Sequence, residues 1–165
     1  DSELPPRSGT LQTFEVASPR PTAPELPFQR ETQSKGLLSD YRGRVVLVNL
    51  WATWCAPCVR EMPSLNRLQA AFDPDDVLVM PISLDRGGAF QVRKFYEKHS
   101  LNHLDIFLDP RANGMRMLAA RGVPATVLID RQGREVGRLE GPAEWDAPEV
   151  MKLIDHVRRE PHNGS

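Results

Sequence analysis

Cys55 and Cys58 are the only cysteines in the chain, and their C-x-x-C spacing is the feature best suited to chemistry. An apolar run at Val45–Leu50 precedes them and is typical of a central strand buried on both faces. From Cys58 to Phe72, apolar side chains recur at the spacing of a helix. The pair is therefore predicted at a strand–helix junction, where free amides and the helix dipole stabilise a thiolate. Cys55, at the helix start, is the predicted thiolate.

Other uses of the pair compete with reversible disulfide formation, which the C-x-x-C spacing allows with only a small local adjustment. A structural disulfide would close a very short ring and remove little loop entropy. A zinc site would need two more ligands, whereas the histidines are scattered at positions 99, 103, 156 and 162. Haem attachment is excluded because Val59 follows Cys58. A redox-active pair is favoured, with the structural disulfide and zinc as alternatives.

Charge and hydropathy exclude several partners. The chain has 165 residues with 21 basic and 22 acidic side chains, a net charge of −1. This balance predicts no affinity for nucleic acid or anionic lipid. The longest apolar run, Val45–Trp54, is much shorter than the roughly 20 residues of a membrane-spanning helix. Because the chain begins at Asp1, we expect a processed protein or one separated from a targeting or anchor segment.

Proline and apolar patterning divide the chain into three parts. Residues 1–25, with most of an N-terminal group of six prolines, are predicted to be a linker or loosely packed arm, with an edge strand at 11–16. Residues 26–160 are predicted to form an α/β domain, a mixed sheet flanked by helices, and 161–165 a flexible tail. Expected strands are 45–50, 77–84, 104–108, 125–130 and 135–140, and expected helices are 58–72, 89–99, 112–121 and 145–159. Gly122 is expected to stop the third helix with a positive φ.

The segment Val46–Pro63 resembles the thioredoxin superfamily, with Trp54 directly before the cysteines and Ala56-Pro57 between them. More closely, it resembles the TlpA/ResA/CcmG group of membrane-tethered periplasmic thiol–disulfide oxidoreductases. The motifs SLDRGG and GPAEWD are most similar to TlpA-like proteins of α-proteobacterial type. The resemblance covers residues 26–159. It implies a thioredoxin-like fold with an N-terminal extension and a central insertion, and no cofactor beyond a redox-active Cys55–Cys58 disulfide.

The resemblance also implies roles for individual residues. Cys55 becomes the attacking cysteine and Cys58 the resolving one. Supporting or substrate-binding positions are Trp54, Ala56, Pro57, Val123 and Pro124. The Val123-Pro124 dipeptide is expected to have a cis peptide bond beside the disulfide, presenting its backbone to an extended client segment. Trp54 is interpreted as an apolar shield at the client-facing surface.

The chain departs from thioredoxin at Asn49, where thioredoxin has a buried aspartate. An asparagine cannot act as the general base that deprotonates Cys58. The resemblance points instead to Asp85, for which a turn former or helix cap is the alternative interpretation. Glu61 is a second candidate, for which a solvated position on the helix face is the alternative.

The family resemblance implies a periplasmic reductase, anchored to the inner membrane and monomeric. Its expected clients have oxidised cysteine pairs: a copper chaperone, cytochrome oxidase subunit II or apocytochrome c. Its expected electron donor is a membrane protein of DsbD/CcdA type, since an oxidising compartment supplies no reductant. A Cu(I)-binding chaperone that uses both thiolates and a general disulfide oxidant are the alternative functions.

Overall fold

The computed structural model describes residues 3–161, and these form one mixed sheet with helices packed on it. The strands are Glu15–Val16 (β1), Pro27–Arg30 (β2), Lys35–Leu37 (β3), Val45–Trp51 (β4), Val77–Ser83 (β5), Phe107–Leu108 (β6), Ala125–Ile129 (β7) and Glu135–Glu140 (β8). The α-helices are Ala56–Ala70 (α1), Gly88–Lys98 (α2), Asn113–Met117 (α3) and Pro148–Arg158 (α4). Short 3-10 helices occupy Gly9–Leu11 and Leu38–Tyr41. Within residues 3–161, no helix is both long and apolar enough to span a membrane.

Strand β4 lies at the centre of the sheet, whose order is β1-β8-β7-β4-β5-β6-β2-β3. It pairs in parallel with β5 and antiparallel with β7. All seven of its residues are buried, because its sequence VVLVNLW presents large side chains to both faces. The strand ends at Trp51, which brings the following loop and the cysteine pair to one edge of the sheet.

The two faces of β4 pack into separate apolar clusters, as the alternation of side chains along a strand requires. Leu47 and Trp51 lie in a cluster with buried residues of α1, α2 and α4. Val46 and Val48 lie in the other cluster, with Phe28 of β2 and side chains around α3. Because both faces of β4 are packed, the position of this strand in the fold is fixed. The position of the start of α1, which follows it, is fixed as well.

The N-terminal segment packs against the domain, so the expectation of a loosely packed arm for 1–25 does not hold over residues 11–23. Leu11 and Phe14 are buried in the same cluster as α4, and Arg20 forms a buried ion pair with Asp130 at 3.0 Å. Of the expected edge strand at 11–16, only β1 is a strand, and it pairs with β8. These contacts are all distant in sequence, which is why local patterning did not indicate them. Most of the expected tail, 162–165, lies outside the described residues.

Two further elements differ from expectation. The third helix spans only Asn113–Met117, bounded by the left-handed residues Ala112 (φ 56°) and Ala119 (φ 52°). Gly122 does not have a positive φ, since the chain has already left the helix. The hairpin of β2 and β3 was not predicted, because both strands are short and neither has an apolar run.

Candidate active site

Cys55 and Cys58 form a disulfide at the N-terminus of α1, with their Cα atoms 5.3 Å apart. Cys55 is the N-cap residue, and its Sγ accepts a hydrogen bond from the Cys58 amide at 3.3 Å. Pro57 lies in the first turn, where a missing N–H leaves no helical bond unmade. Cys55 is 7% exposed and Cys58 is fully buried. An incoming sulfur can therefore reach Cys55 first.

The second wall of the site is the segment that enters β7. The Val123–Pro124 peptide bond is cis, and the Val123 carbonyl oxygen lies 3.7 Å from the Cys55 Sγ. Pro124 is buried and its carbonyl accepts a hydrogen bond from Gly141 at 2.8 Å. Val123 is only half-buried. Its backbone thus stands beside the reactive sulfur at the surface.

The two tryptophans before the cysteines have different environments. Trp51 is fully buried, and its ring packs on Phe95 and Tyr96 at centroid distances of 5.2 and 6.1 Å. Trp54 is 69% exposed, and Ala56 is exposed as well. Trp51 therefore belongs to the core, whereas Trp54 presents a large apolar surface directly next to Cys55.

Glu61 is buried beneath the disulfide end of α1, so its interpretation as a solvated helix-face residue was wrong. Its side chain accepts hydrogen bonds from Asn49 Nδ2 at 2.8 Å, Trp145 Nε1 at 2.8 Å and the Ala143 amide at 3.0 Å. Burial raises the pKa of Glu61 to about 7, partly opposed by these three hydrogen bonds. A carboxyl group with such a pKa exchanges protons near neutral pH.

Asn49 connects this carboxyl group to the centre of the sheet. Its Nδ2 donates to Thr126 Oγ1 at 3.0 Å as well as to Glu61, while its Oδ1 is buried without a hydrogen-bond partner among residues 3–161. The asparagine therefore supports an acid that belongs to α1, rather than supplying the acid itself as the buried aspartate of thioredoxin does.

Asp85 is also buried, but its hydrogen bonds point to the loop before the cysteines. It accepts from the Thr53 amide at 2.9 Å, Thr53 Oγ1 at 2.6 Å and Ser83 Oγ at 2.7 Å. Gln91 of α2 donates to the same Thr53 hydroxyl at 3.3 Å. Asp85 thus ties the end of β5 to the residue that precedes Trp54.

Sequence reasoning missed the residues that surround Glu61 from the loop before α4. Trp145 is a buried tryptophan, and a buried indole N–H needs an acceptor. The need for an acceptor could have been inferred from the sequence, but the sequence does not show which residue accepts the hydrogen bond. Ala143 and Thr126 offered no signal, since one acts through its backbone amide and the other is an ordinary strand residue.

Residues 19–134 match the family model described as AhpC/TSA. The chain belongs to the AhpC/TSA family. This AhpC/TSA member has the thioredoxin-like fold of its solved neighbours, and the match includes both cysteines and the central strand.

A relative in sequence and a neighbour in structure both have names that refer to thiol–disulfide exchange. The AhpC/TSA member is 32% identical over 113 residues to "Thiol-disulfide oxidoreductase ResA" of Geobacillus thermodenitrificans, covering 68% of this chain and 64% of that protein. The chain therefore spans just under two thirds of that relative. A Chlorobium tepidum structure described as a thiol:disulfide interchange protein DsbE superposes with a TM-score of 0.72 at 26% identity, over 84% of this chain and 96% of that chain.

A third protein shares the fold alone. The exposed lipoprotein thioredoxin Etrx1 of Streptococcus pneumoniae gives a TM-score of 0.67 at 22% identity. The superposition covers 81% of this chain and 100% of that chain.

Proposed function

We propose that the protein is a thiol–disulfide oxidoreductase that reduces disulfide bonds of client proteins through Cys55 and Cys58. The observation that carries this proposal is the disulfide at the helix N-terminus, with one sulfur reachable and the other fully buried. The names of the ResA and DsbE relatives support it. The proposed reaction uses no cofactor beyond the cysteine pair.

The first step is attack by the Cys55 thiolate on a client disulfide. A bond forms between Cys55 Sγ and one client sulfur, and the client S–S bond breaks. The second client sulfur leaves as a thiolate and takes up a proton. The amides at the start of α1 stabilise the Cys55 thiolate before attack, as the Cys58 amide already contacts this sulfur.

The second step releases the reduced client. Cys58 loses its proton and attacks Cys55 Sγ, which restores the Cys55–Cys58 disulfide and expels the client sulfur as a thiolate. In this proposal Glu61 accepts the Cys58 proton, since it lies three residues later on the same helix and has a pKa of about 7. Overall the client gains two electrons and two protons, and the protein loses them.

The direction of the reaction requires an electron source. The proposal places the protein in the periplasm, anchored to the inner membrane, where a DsbD/CcdA-type protein reduces the cysteine pair. The resemblance to TlpA-like proteins supports this location. The proposed clients have oxidised cysteine pairs in copper-site or cytochrome c assembly: a copper chaperone, cytochrome oxidase subunit II or apocytochrome c.

The reduction potential tests the proposed direction. Equilibration of the protein with glutathione redox buffers, followed by thiol labelling, gives the potential of the Cys55–Cys58 pair. We expect a value closer to the roughly −270 mV of thioredoxin than to the roughly −120 mV of the oxidant DsbA. The fully reduced protein should also convert one peptide disulfide to two thiols per molecule. A potential near that of DsbA contradicts a reductase and favours the oxidant.

A further inference from the structure

A cleft of about 510 Å³ is lined on one side by Trp54, the residue that precedes Cys55. Its walls come from the ends of three segments: Trp54 itself, Leu84–Gly87 after β5, and Pro110–Ala112 before α3. The volume lies within the usual range of ligand sites in proteins. Because Cys55 follows Trp54 directly, a client segment joined to Cys55 can extend over Trp54 towards this cleft.

Two arginines give the cleft its charge. Arg86 and Arg111 line it, both are exposed, and neither forms an ion pair among residues 3–161. Some exposed arginines elsewhere do pair, as Arg67 does with Asp146 at 2.7 Å and Arg93 with Glu31 at 2.6 Å. The cleft therefore has cationic groups that no acid of the described chain neutralises.

The one acid that lines the cleft does not pair with either arginine. Asp85 is buried, and both of its carboxylate oxygens accept hydrogen bonds from Thr53 or Ser83. Asp85 is therefore bound to Thr53 and Ser83, and it forms no ion pair with Arg86 or Arg111 among the described residues. Gln91, the other polar side chain of the lining, is neutral and hydrogen-bonded to Thr53.

We propose that this cleft binds the part of a client that flanks its reactive cysteine, and that this part has an aspartate or glutamate. This inference rests on the proposed function, since the cleft would contact a client only while the client is bound at Cys55. A carboxylate matches the planar guanidinium groups of Arg86 and Arg111 by charge-assisted hydrogen bonds. The apolar surface of Trp54 packs against the neighbouring side chain of the client. Arg86 and Arg111 thus favour clients with an acidic flanking residue and increase the rate at which these clients associate with the protein.

The test uses two peptides that have one intramolecular disulfide each and differ only in their flanking residues, glutamate in one and lysine in the other. The reduced protein is mixed with each peptide, and the second-order rate constant is followed by tryptophan fluorescence at low and high salt. We expect the glutamate peptide to react about tenfold faster at low salt, and the difference to shrink at high salt because ions screen the steering.

The double variant Arg86→Glu/Arg111→Glu should reverse the preference. The single variants should each reduce it, and Lys152→Glu on the exposed face of α4 is a control with the same charge change per residue. An unchanged ratio of the two rates in the double variant overturns the cleft proposal, even where both rates fall together. If the wild-type protein reduces neither peptide, the proposed function itself fails. If it reduces both at equal rates, only the cleft proposal fails.

Discussion

The carboxyl group of Glu61 accepts a hydrogen bond from the indole Nε1 of Trp145 at 2.8 Å, across 84 residues of sequence. This contact joins α1, which starts at the cysteines, to the loop that precedes α4. It holds an ionisable group in the core, where only 3% of Glu61 is exposed. The site therefore combines an accessible sulfur with a buried acid whose pKa is about 7.

Glu61 should make the stability of the oxidised protein depend on pH. Its pKa is about 7 in the folded protein, against about 4.5 for an ordinary glutamate, so the unfolded chain releases this proton first as pH rises. The free energy of unfolding should therefore decrease between about pH 4.5 and 7, by roughly 3 kcal/mol from this group. Urea unfolding at pH 5 and 8 measures the change. Glu61→Gln should remove this pH dependence, whereas Glu97→Gln on the exposed face of α2 should leave it unchanged. An equal change in unfolding free energy between pH 5 and 8 in all three proteins would contradict this role of Glu61.

Trp145→Phe should destabilise the protein more at pH 8 than at pH 5. The substitution removes the indole N–H that stabilises the ionised Glu61 carboxylate, while most of the apolar ring volume stays. A lost hydrogen bond to a buried charged group corresponds to about 1.5–3 kcal/mol at the higher pH. Denaturant unfolding of the oxidised variant at both pH values measures this difference. An equal loss of unfolding free energy at pH 5 and pH 8 would indicate that Trp145 contributes through packing alone.

Asp85→Asn should separate loop support from proton transfer. The amide cannot accept every bond that Thr53 and Ser83 now donate, so the variant should lose about 1–3 kcal/mol of stability. Its rate of peptide-disulfide reduction should keep the wild-type dependence on pH, since Glu61 is the proposed proton acceptor. Stopped-flow rates from pH 5 to 9 test this. Loss of the pH dependence in Asp85→Asn, with retention in Glu61→Gln, would assign the proton to Asp85.

Leu11→Ala should show that the N-terminal segment belongs to the folded unit. Leu11 is buried in the cluster that includes α4, and truncating such a side chain removes about 2–5 kcal/mol. Val16 of β1 is exposed, and Val16→Ala is the control, expected to change stability by much less. Chemical unfolding of both variants gives the comparison. Equal and small effects would mean that residues 11–16 lie loosely on the surface in solution.

The central elements could be predicted from sequence because they are locally encoded. Strands β4 and β5 are mostly apolar runs, and the C-x-x-C spacing at a strand–helix junction is enough to predict a reactive thiol. Strands β2 and β3 could not be predicted, since strands of four and three residues are too short to show a clear apolar pattern. The packing of Leu11 could not be predicted either, because a single leucine in a proline-rich segment does not indicate a distant partner.

The environment of the candidate acids depends on contacts between distant segments. Glu61 stands among the apolar positions of α1, but whether it is solvated depends on the loop at 141–147 that covers it. Asp85 follows a predicted strand, which suggested a turn or cap; the structure shows its actual partner, Thr53, on a neighbouring strand end. The resemblance indicated Asp85, Glu61 was a second candidate, and only the tertiary structure separates their surroundings.

Trapping of a mixed disulfide tests the central claim most directly. Cys58→Ser, reduced and then mixed with a single-disulfide peptide that has uncharged flanks, should accumulate a covalent adduct because the resolving thiol is missing. Intact mass spectrometry and peptide mapping should place the peptide on Cys55, and dithiothreitol should release it. Cys55→Ser, treated identically, should give little adduct because Cys58 is buried. Absence of an adduct in Cys58→Ser, or an equal adduct in Cys55→Ser, would contradict attack by Cys55.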